Sequence, residues 1–251
     1  MANHSLVGIE TATSLMLSYE ALAIAHKKAW DAEQSQARAL SRELNQNVNL
    51  QHGFALLVLN ASVIEGTLRT IISEDILSEL QDATRAGSSK GRTGPTKAEA
   101  LLSKYHSDIE MQGGWEKIKE QYSFYYDLSL SELMGKDLKD AIEVLFTLRN
   151  VISHGTAIIQ PSTKMDDTLK DVYPYKWQAK LQGASVYLKK VFSHDEIFKN
   201  LREYNMPEHF LEKTKELFQT LENRFTKVPD RAKKTIDMVK GYRFGYRSNT
   251  M

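Results

Sequence analysis

The sequence has no cysteine, and it is poor in proline and glycine. Its 251 residues include 5 prolines and 13 glycines. Without cysteine, a disulfide framework, a thiol nucleophile and thiolate-held zinc or iron–sulfur sites are excluded. Because proline and glycine both interrupt helices, their scarcity is typical of helix-rich proteins.

Long apolar runs are also missing. The longest uninterrupted one covers residues 54–59, whereas roughly 20 apolar residues are needed to cross a bilayer. The first residues lack the basic flank and apolar core of a signal peptide. Hydrophobic residues make up 41% and charged residues 26%, which is typical of a folded globular chain. We therefore expect a cytoplasmic protein with no membrane segment.

Charge is unevenly distributed, although the net charge is only +1. From residue 224 onwards there are eight basic and two acidic residues, so this segment carries +6 and the rest of the chain −5. A mildly acidic body with a basic tail suits the binding of a polyanion.

Apolar residues recur at helical spacing along most of the chain. The pattern predicts helices at about residues 10–45, 50–82, 96–106, 114–126, 137–153, 193–204, 207–227 and 229–239. A glycine- and serine-rich stretch at 86–95 predicts a flexible loop. Gly155 is expected to end the 137–153 helix, Ser193 and Glu196 to form a capping box, and Pro207 to lie in a first turn.

The period changes to two between residues 173 and 181, where aromatic and apolar residues alternate with polar ones. With a turn at Gly183 and a β-rich run at 185–192, this pattern predicts a small β-hairpin. The expected fold is mainly α, an antiparallel helical bundle at 1–156, with a hairpin appendage at 157–192. Additional C-terminal helices and the basic tail are expected to follow at 193–251, as part of one compact unit.

Two opposite charges fall on the apolar stripes of two predicted central helices. At 100° per residue, Arg149 lies among Leu138, Ile142 and Leu145, and Glu65 lies on the stripe of the 50–82 helix. An unpaired charge in a core costs several kcal/mol. We therefore predict that Glu65 and Arg149 meet, although each alone could instead snorkel at a helix margin.

His154 follows Arg149 by five positions, which places the two about 140° apart on a continuous helix. Asn150 and His154, at i and i+4, share a face. Either the helix breaks before His154, or two copies of the chain assemble one site across a two-fold axis. Two Arg149 side chains would then offset the negative end of the helix dipole near His154.

Residues 149–155, Arg-Asn-Val-Ile-Ser-His-Gly, resemble the signature of HEPN domains, in which Arg, a polar residue and His follow an amphipathic helix. The segment 60–72, which contains Glu65, is similar to the glutamate-bearing inner helix of these domains. The resemblance covers about residues 10–156. It implies a helical-bundle homodimer that cleaves RNA without a metal or other cofactor, in stress response, toxin–antitoxin or antiphage settings. An antitoxin or regulatory protein is a further implied partner.

The resemblance also implies roles for single residues. His154 would be general base or acid, Arg149 would stabilise the charge that builds up on the phosphate, and Asn150 would position phosphate or imidazole. Glu65 and Ser153 would not contact the RNA but would orient these groups, Glu65 by binding Arg149. Some HEPN members have lost catalysis and only bind, so a non-catalytic binding or regulatory module is the alternative.

The C-terminal tail interleaves basic and aromatic residues, as single-strand RNA platforms do. Its candidate RNA contacts are Lys240, Tyr242, Arg243, Phe244 and Arg247. An unrelated helical scaffold with a nucleic-acid-binding tail is therefore a third possibility. The histidines are scattered without paired spacing, so no metal site is expected.

Overall fold

The computed structural model describes residues 10–155, 158 and 175–247, with the side chains of 175–180 left aside. Its helices are α1 (Thr11–Ala39), α2 (Leu50–Ser89), α3 (Lys97–Met111), α4 (Trp115–Tyr126), α5 (Leu130–Leu133), α6 (Lys136–Ser153), α7 (Tyr175–Phe192), α8 (Ile197–Leu201), α9 (Met206–Arg224) and α10 (Asp230–Gly241), with a 3₁₀ turn at Gln46–Asn49. These ranges contain no strand. The prediction of a mainly α protein is confirmed.

Helix α2 is the centre of the fold. It contacts α1, α3, α4, α6, α9 and α10. Leu56, Leu57, Ile64 and Leu68 are completely buried on it. Because apolar residues lie almost all round this helix, it can be covered only by neighbours on several sides. The core therefore forms around α2.

By length and composition alone, Gln46–Ser89 could also cross a membrane, since its most apolar window has a mean hydropathy of 1.5. That window is 56% buried inside the bundle, and the central helix of a bundle meets the same criterion. It is weak evidence for a membrane segment.

The predicted β-hairpin is wrong where the structure describes it, because Tyr175–Phe192 is one helix. Residues 157 and 159–174 of the predicted appendage lie outside the described residues. Leu181, Ala184 and Leu188 are buried, at i, i+3 and i+7, so this segment packs one helical stripe against the bundle. The alternation of apolar and polar residues before Gly183 did not reveal this stripe, because Ala184 and Leu188 lie after Gly183.

Several boundaries also differ from the prediction. Helix α1 ends at Ala39, and α2 continues to Ser89 through the first part of the expected loop. Ser193 has a φ of +68° and Glu196 caps α8 without a side-chain bond, so the predicted capping box is absent. Pro207 lies in the first turn of α9, as predicted.

We expect Gly183→Ala to raise the free energy of unfolding by about 0.5–1 kcal/mol, because alanine loses less backbone entropy in a helix. Gly183 is exposed, and a Cβ there would meet no atom within 4 Å. Urea unfolding of both proteins provides the measurement. A lower midpoint for the variant would contradict the helix and favour a glycine turn.

The buried His26 provides a pH-sensitive contact between α1 and the segment before α9. Its Nε2 lies 3.1 Å from the backbone oxygen of Tyr204, and its ring stacks on the Tyr204 ring with centroids 4.9 Å apart. Burial lowers the pKa of His26 from its usual 6.5, and the nearby His52 adds to this. The folded protein therefore favours the neutral imidazole of His26 more than the unfolded chain does.

Because the pKa of His26 is lower when folded, its contribution to stability is complete above pH 6.5 and is lost as the pH falls below that value. We expect His26→Gln to be less stable than the parent at pH 7. Its unfolding free energy should then fall less steeply towards pH 5, where His209 still contributes. Urea titrations at several pH values measure both slopes, and equal slopes would contradict this assignment.

Candidate functional site

The predicted contact between Glu65 and Arg149 is present. An oxygen of Glu65 on α2 accepts a hydrogen bond and ion pair from Nη2 of Arg149 on α6. The side chains are 15% and 21% exposed, respectively, so the pair is largely shielded from water. It joins the two helices on whose stripes the sequence placed the charges.

Glu65 is held by two further donors. Nη2 of Arg69, one turn later on α2, donates to Glu65 Oε1 at 2.8 Å. The backbone N–H of Gly114 donates to the same oxygen, also at 2.8 Å. Since Gly114 is the N-cap of α4, the carboxylate also lies at the positive end of that helix dipole. One side chain therefore ties α2, α4 and α6 together.

The approach of α4 to Glu65 requires glycine at two successive positions. A Cβ on Gly113 would lie 2.5 Å from both Arg69 Nη2 and Glu65 Oε1, inside contact distance. Gly114 has a φ of +102°, which side chains other than glycine rarely adopt. These two glycines before α4 therefore make room for the ion cluster.

Arg149 extends from Glu65 towards the surface with its other terminal nitrogen, Nη1. Nη1 donates to the Asn150 side-chain oxygen at 3.2 Å, and the guanidinium carbon lies 5.6 Å from the Phe146 ring centroid. The Nε atoms of Arg149 and Arg69 are buried and have no acceptor. Two guanidinium groups share one carboxylate, so this cluster of Glu65, Arg69 and Arg149 carries a net charge of +1.

His154, Ser153 and Asn150 are exposed at the C-terminal end of α6. The backbone N–H of His154 donates to the backbone oxygen of Asn150 at 3.2 Å, and the φ and ψ of His154 are helical. Asn150 and His154 therefore share a face, as predicted, and the helix does not break between them. Among the described residues, the imidazole makes no hydrogen bond to Arg149. Gly155 follows with a φ of +61°, as a helix-ending glycine does.

A pocket of about 390 Å³ borders Asn150, and the sequence analysis did not anticipate it. Its charged lining comprises Glu116, Glu120 and Glu143 with Lys117, so carboxylates outnumber cations. Lys119 pairs with Glu143 at 2.9 Å beside it. In the sequence these residues resemble an ordinary solvated helix face, so no signal distinguished them.

The tail does not form the predicted stacking platform. Tyr242 is fully buried and Phe244 is 7% exposed, so neither ring can stack on a base in this fold. The Tyr242 ring packs edge-on against Tyr19 at 6.2 Å, and its hydroxyl donates to the Glu20 backbone oxygen at 3.3 Å. Tyr242 and Phe244 face the core, whereas Arg243, Tyr246 and Arg247 are exposed to water.

The basic tail residues differ from one another. Lys240 is engaged with Glu222 at 2.5 Å, whereas Arg243 and Arg247 are exposed. Glu222 also pairs with Lys233 at 2.7 Å, and both lysines lower the pKa of Glu222 despite its partial burial. Part of the tail's positive charge is thus already compensated. In the part of the chain that the structure describes, no three His, Asp or Glu side chains form a group that could hold a metal.

We expect Glu65→Gln to lower the free energy of unfolding by about 2 kcal/mol, below the usual cost of breaking a fully buried pair because the site is partly wet. The change keeps the side-chain volume and leaves two guanidinium groups without a counter-charge. Glu120→Gln, whose partner Lys117 is 3.0 Å away at the surface, is the matched control and should leave the urea midpoint unchanged. Equal midpoints for both variants would contradict the central role of Glu65.

Comparison with known proteins adds no family to this geometry. No protein-family model, no curated protein and no solved structure matches the chain significantly.

Proposed function

We propose that this protein is a HEPN-like, metal-independent endoribonuclease whose site comprises Arg149, Asn150 and His154. The supporting observation is the arrangement of Arg149, which is fixed by Glu65 on one side and donates to the exposed Asn150 on the other. Asn150 shares its helix face with the exposed His154. A fixed cation, an amide and an imidazole therefore adjoin one solvent-facing helix end.

The chemistry that these groups permit is transesterification within RNA. The ribose 2′-hydroxyl attacks the adjacent phosphorus and its proton passes to a neutral imidazole, while the bond from phosphorus to the 5′-oxygen breaks. A second, protonated imidazole supplies the proton that leaves with the 5′-oxygen. Arg149 remains protonated and stabilises the non-bridging oxygens as their charge increases. The products are a 2′,3′-cyclic phosphate and a 5′-hydroxyl.

Two copies of the chain suit this reaction better than one. Each chain offers a single His154, whereas base and acid roles call for two imidazoles. Two-fold pairing of the α6 ends would bring two His154 and two Arg149 side chains to one groove. The second guanidinium would also counter the negative end of the helix dipole. The homodimer is part of the proposal.

The alternative is a non-catalytic binding or regulatory module. The observation in its favour is that Arg149 is mostly buried in the cluster with Glu65 and Arg69, where it stabilises the packing of α2, α4 and α6. The carboxylates around the pocket beside Asn150 would also repel a phosphate. In this reading Arg149 and Glu65 are a structural pair, and His154 only ends the helix.

We expect the purified protein to cleave labelled tRNA or mRNA in the presence of EDTA and to leave 2′,3′-cyclic phosphate ends. Arg149→Ala and His154→Ala should each reduce the rate by about 100-fold or more, because each removes a group that acts in the transition state. His194→Ala is the matched control, since this histidine is bound to Glu203 at 2.7 Å and should retain full activity. Circular dichroism verifies that each variant folds.

A mixing experiment tests the two-copy site. Parent protein that is unfolded and refolded with an excess of inactive His154→Ala protein should lose more activity than its dilution predicts, because each mixed pair then holds one imidazole instead of two. Cleavage retained by both single variants would refute the nuclease proposal. RNA binding by the parent without any cleavage would favour the binding module.

A further inference from the structure

A second pocket, of about 390 Å³, lies where α2, α6 and α8 meet. Its walls are mostly apolar and include Leu50 and Phe54 of α2, Ile152 of α6, and Phe198 and Leu201 of α8. The volume is at the small end of the roughly 300–1,000 Å³ typical of small-molecule sites. It is separate from the pocket that borders Asn150.

One cation, Arg202, borders this apolar space. Its Nε is buried without an acceptor, and its guanidinium forms no ion pair within the described ranges. The neighbouring Glu203 does not neutralise it, because that carboxylate is bound to His194. A guanidinium beside apolar walls gains most from an anionic partner that brings its own apolar body.

The backbone of Arg202 is bound to a buried side chain. Asn49, just before α2, is 98% buried, given its 2% exposure, and its Nδ2 donates to the Arg202 backbone oxygen at 2.8 Å. This bond fixes the backbone of Arg202 at the border of the pocket. Natural folds seldom leave buried polar atoms unpaired, so the buried Nε of Arg202, which has no acceptor, indicates an anionic occupant beside it.

We infer that this pocket binds a small amphipathic carboxylate, with its hydrocarbon part against Phe54, Ile152 and Leu201 and its carboxylate on Arg202. The planar guanidinium matches a carboxylate with two parallel hydrogen bonds. Apolar contact supplies most of the affinity, and the charge pair selects an acid over a neutral molecule of the same length. This site does not depend on the proposed nuclease activity.

The test compares octanoate and decanoate with 1-octanol, below their aggregation concentrations, by isothermal titration calorimetry on the full chain. We expect one saturable site, tighter for decanoate than for octanoate, and octanoate about tenfold tighter than 1-octanol, as one charge-assisted contact provides. Arg202→Gln should remove the preference for the acid, whereas Arg202→Lys should keep most of it.

Arg224→Gln, which changes an exposed arginine near the end of α9, is the control and should leave both affinities unchanged. If Arg202→Gln does not fold, Ile152→Phe provides a second variant, since the larger ring fills the pocket and should weaken decanoate binding without altering Arg202. The inference is overturned if the parent binds none of the three compounds saturably, or binds octanoate and 1-octanol equally. It is likewise overturned if Ile152→Phe, folded by circular dichroism, binds decanoate as tightly as the parent.

Discussion

The carboxylate of Glu65 is the constraint on which the rest of the candidate site depends. It accepts hydrogen bonds from Arg69 on α2, from the backbone of Gly114 at the start of α4, and from Arg149 on α6. Arg149 also donates to Asn150 at the surface. Because hydrogen bonds have direction, a carboxylate that accepts three of them fixes the relative position of α2, α4 and α6 more strictly than apolar packing does. The orientation of Arg149 is a consequence of this cluster.

Much of this cluster was predictable from the sequence. Glu65 and Arg149 each fall in the middle of an apolar stripe, and the high cost of burying a lone charge makes their pairing the economical arrangement. The Asn150–His154 relation followed from helix periodicity alone. What periodicity cannot supply is a third partner from a distant segment. The parts played by Arg69 and Gly114 therefore appeared only with the three-dimensional structure.

The hairpin and the tail show where pattern reading fails. Around residues 173–181 the alternation of residue types suits a strand, but Leu181, Ala184 and Leu188 carry the burial, and their spacing is helical. In the tail, alternating aromatic and basic residues were read as an exposed platform. Tyr242 and Phe244 instead face the core. Alternating residue types show that the two faces of a segment differ, but the packing of the rest of the chain decides which face is exposed to water.

The burial of the tail also has a consequence for the order in which the bundle is completed. Thr13 and Thr235 share a buried hydrogen bond across 222 positions, and Tyr242 reaches Glu20 across the same separation. A ribosome must therefore translate this chain as far as Tyr242 before α1 acquires these neighbours. Such long-range closure slows folding relative to a bundle of consecutive hairpins. Until then, one flank of the first helix remains uncovered and accessible to chaperones in the nascent polypeptide.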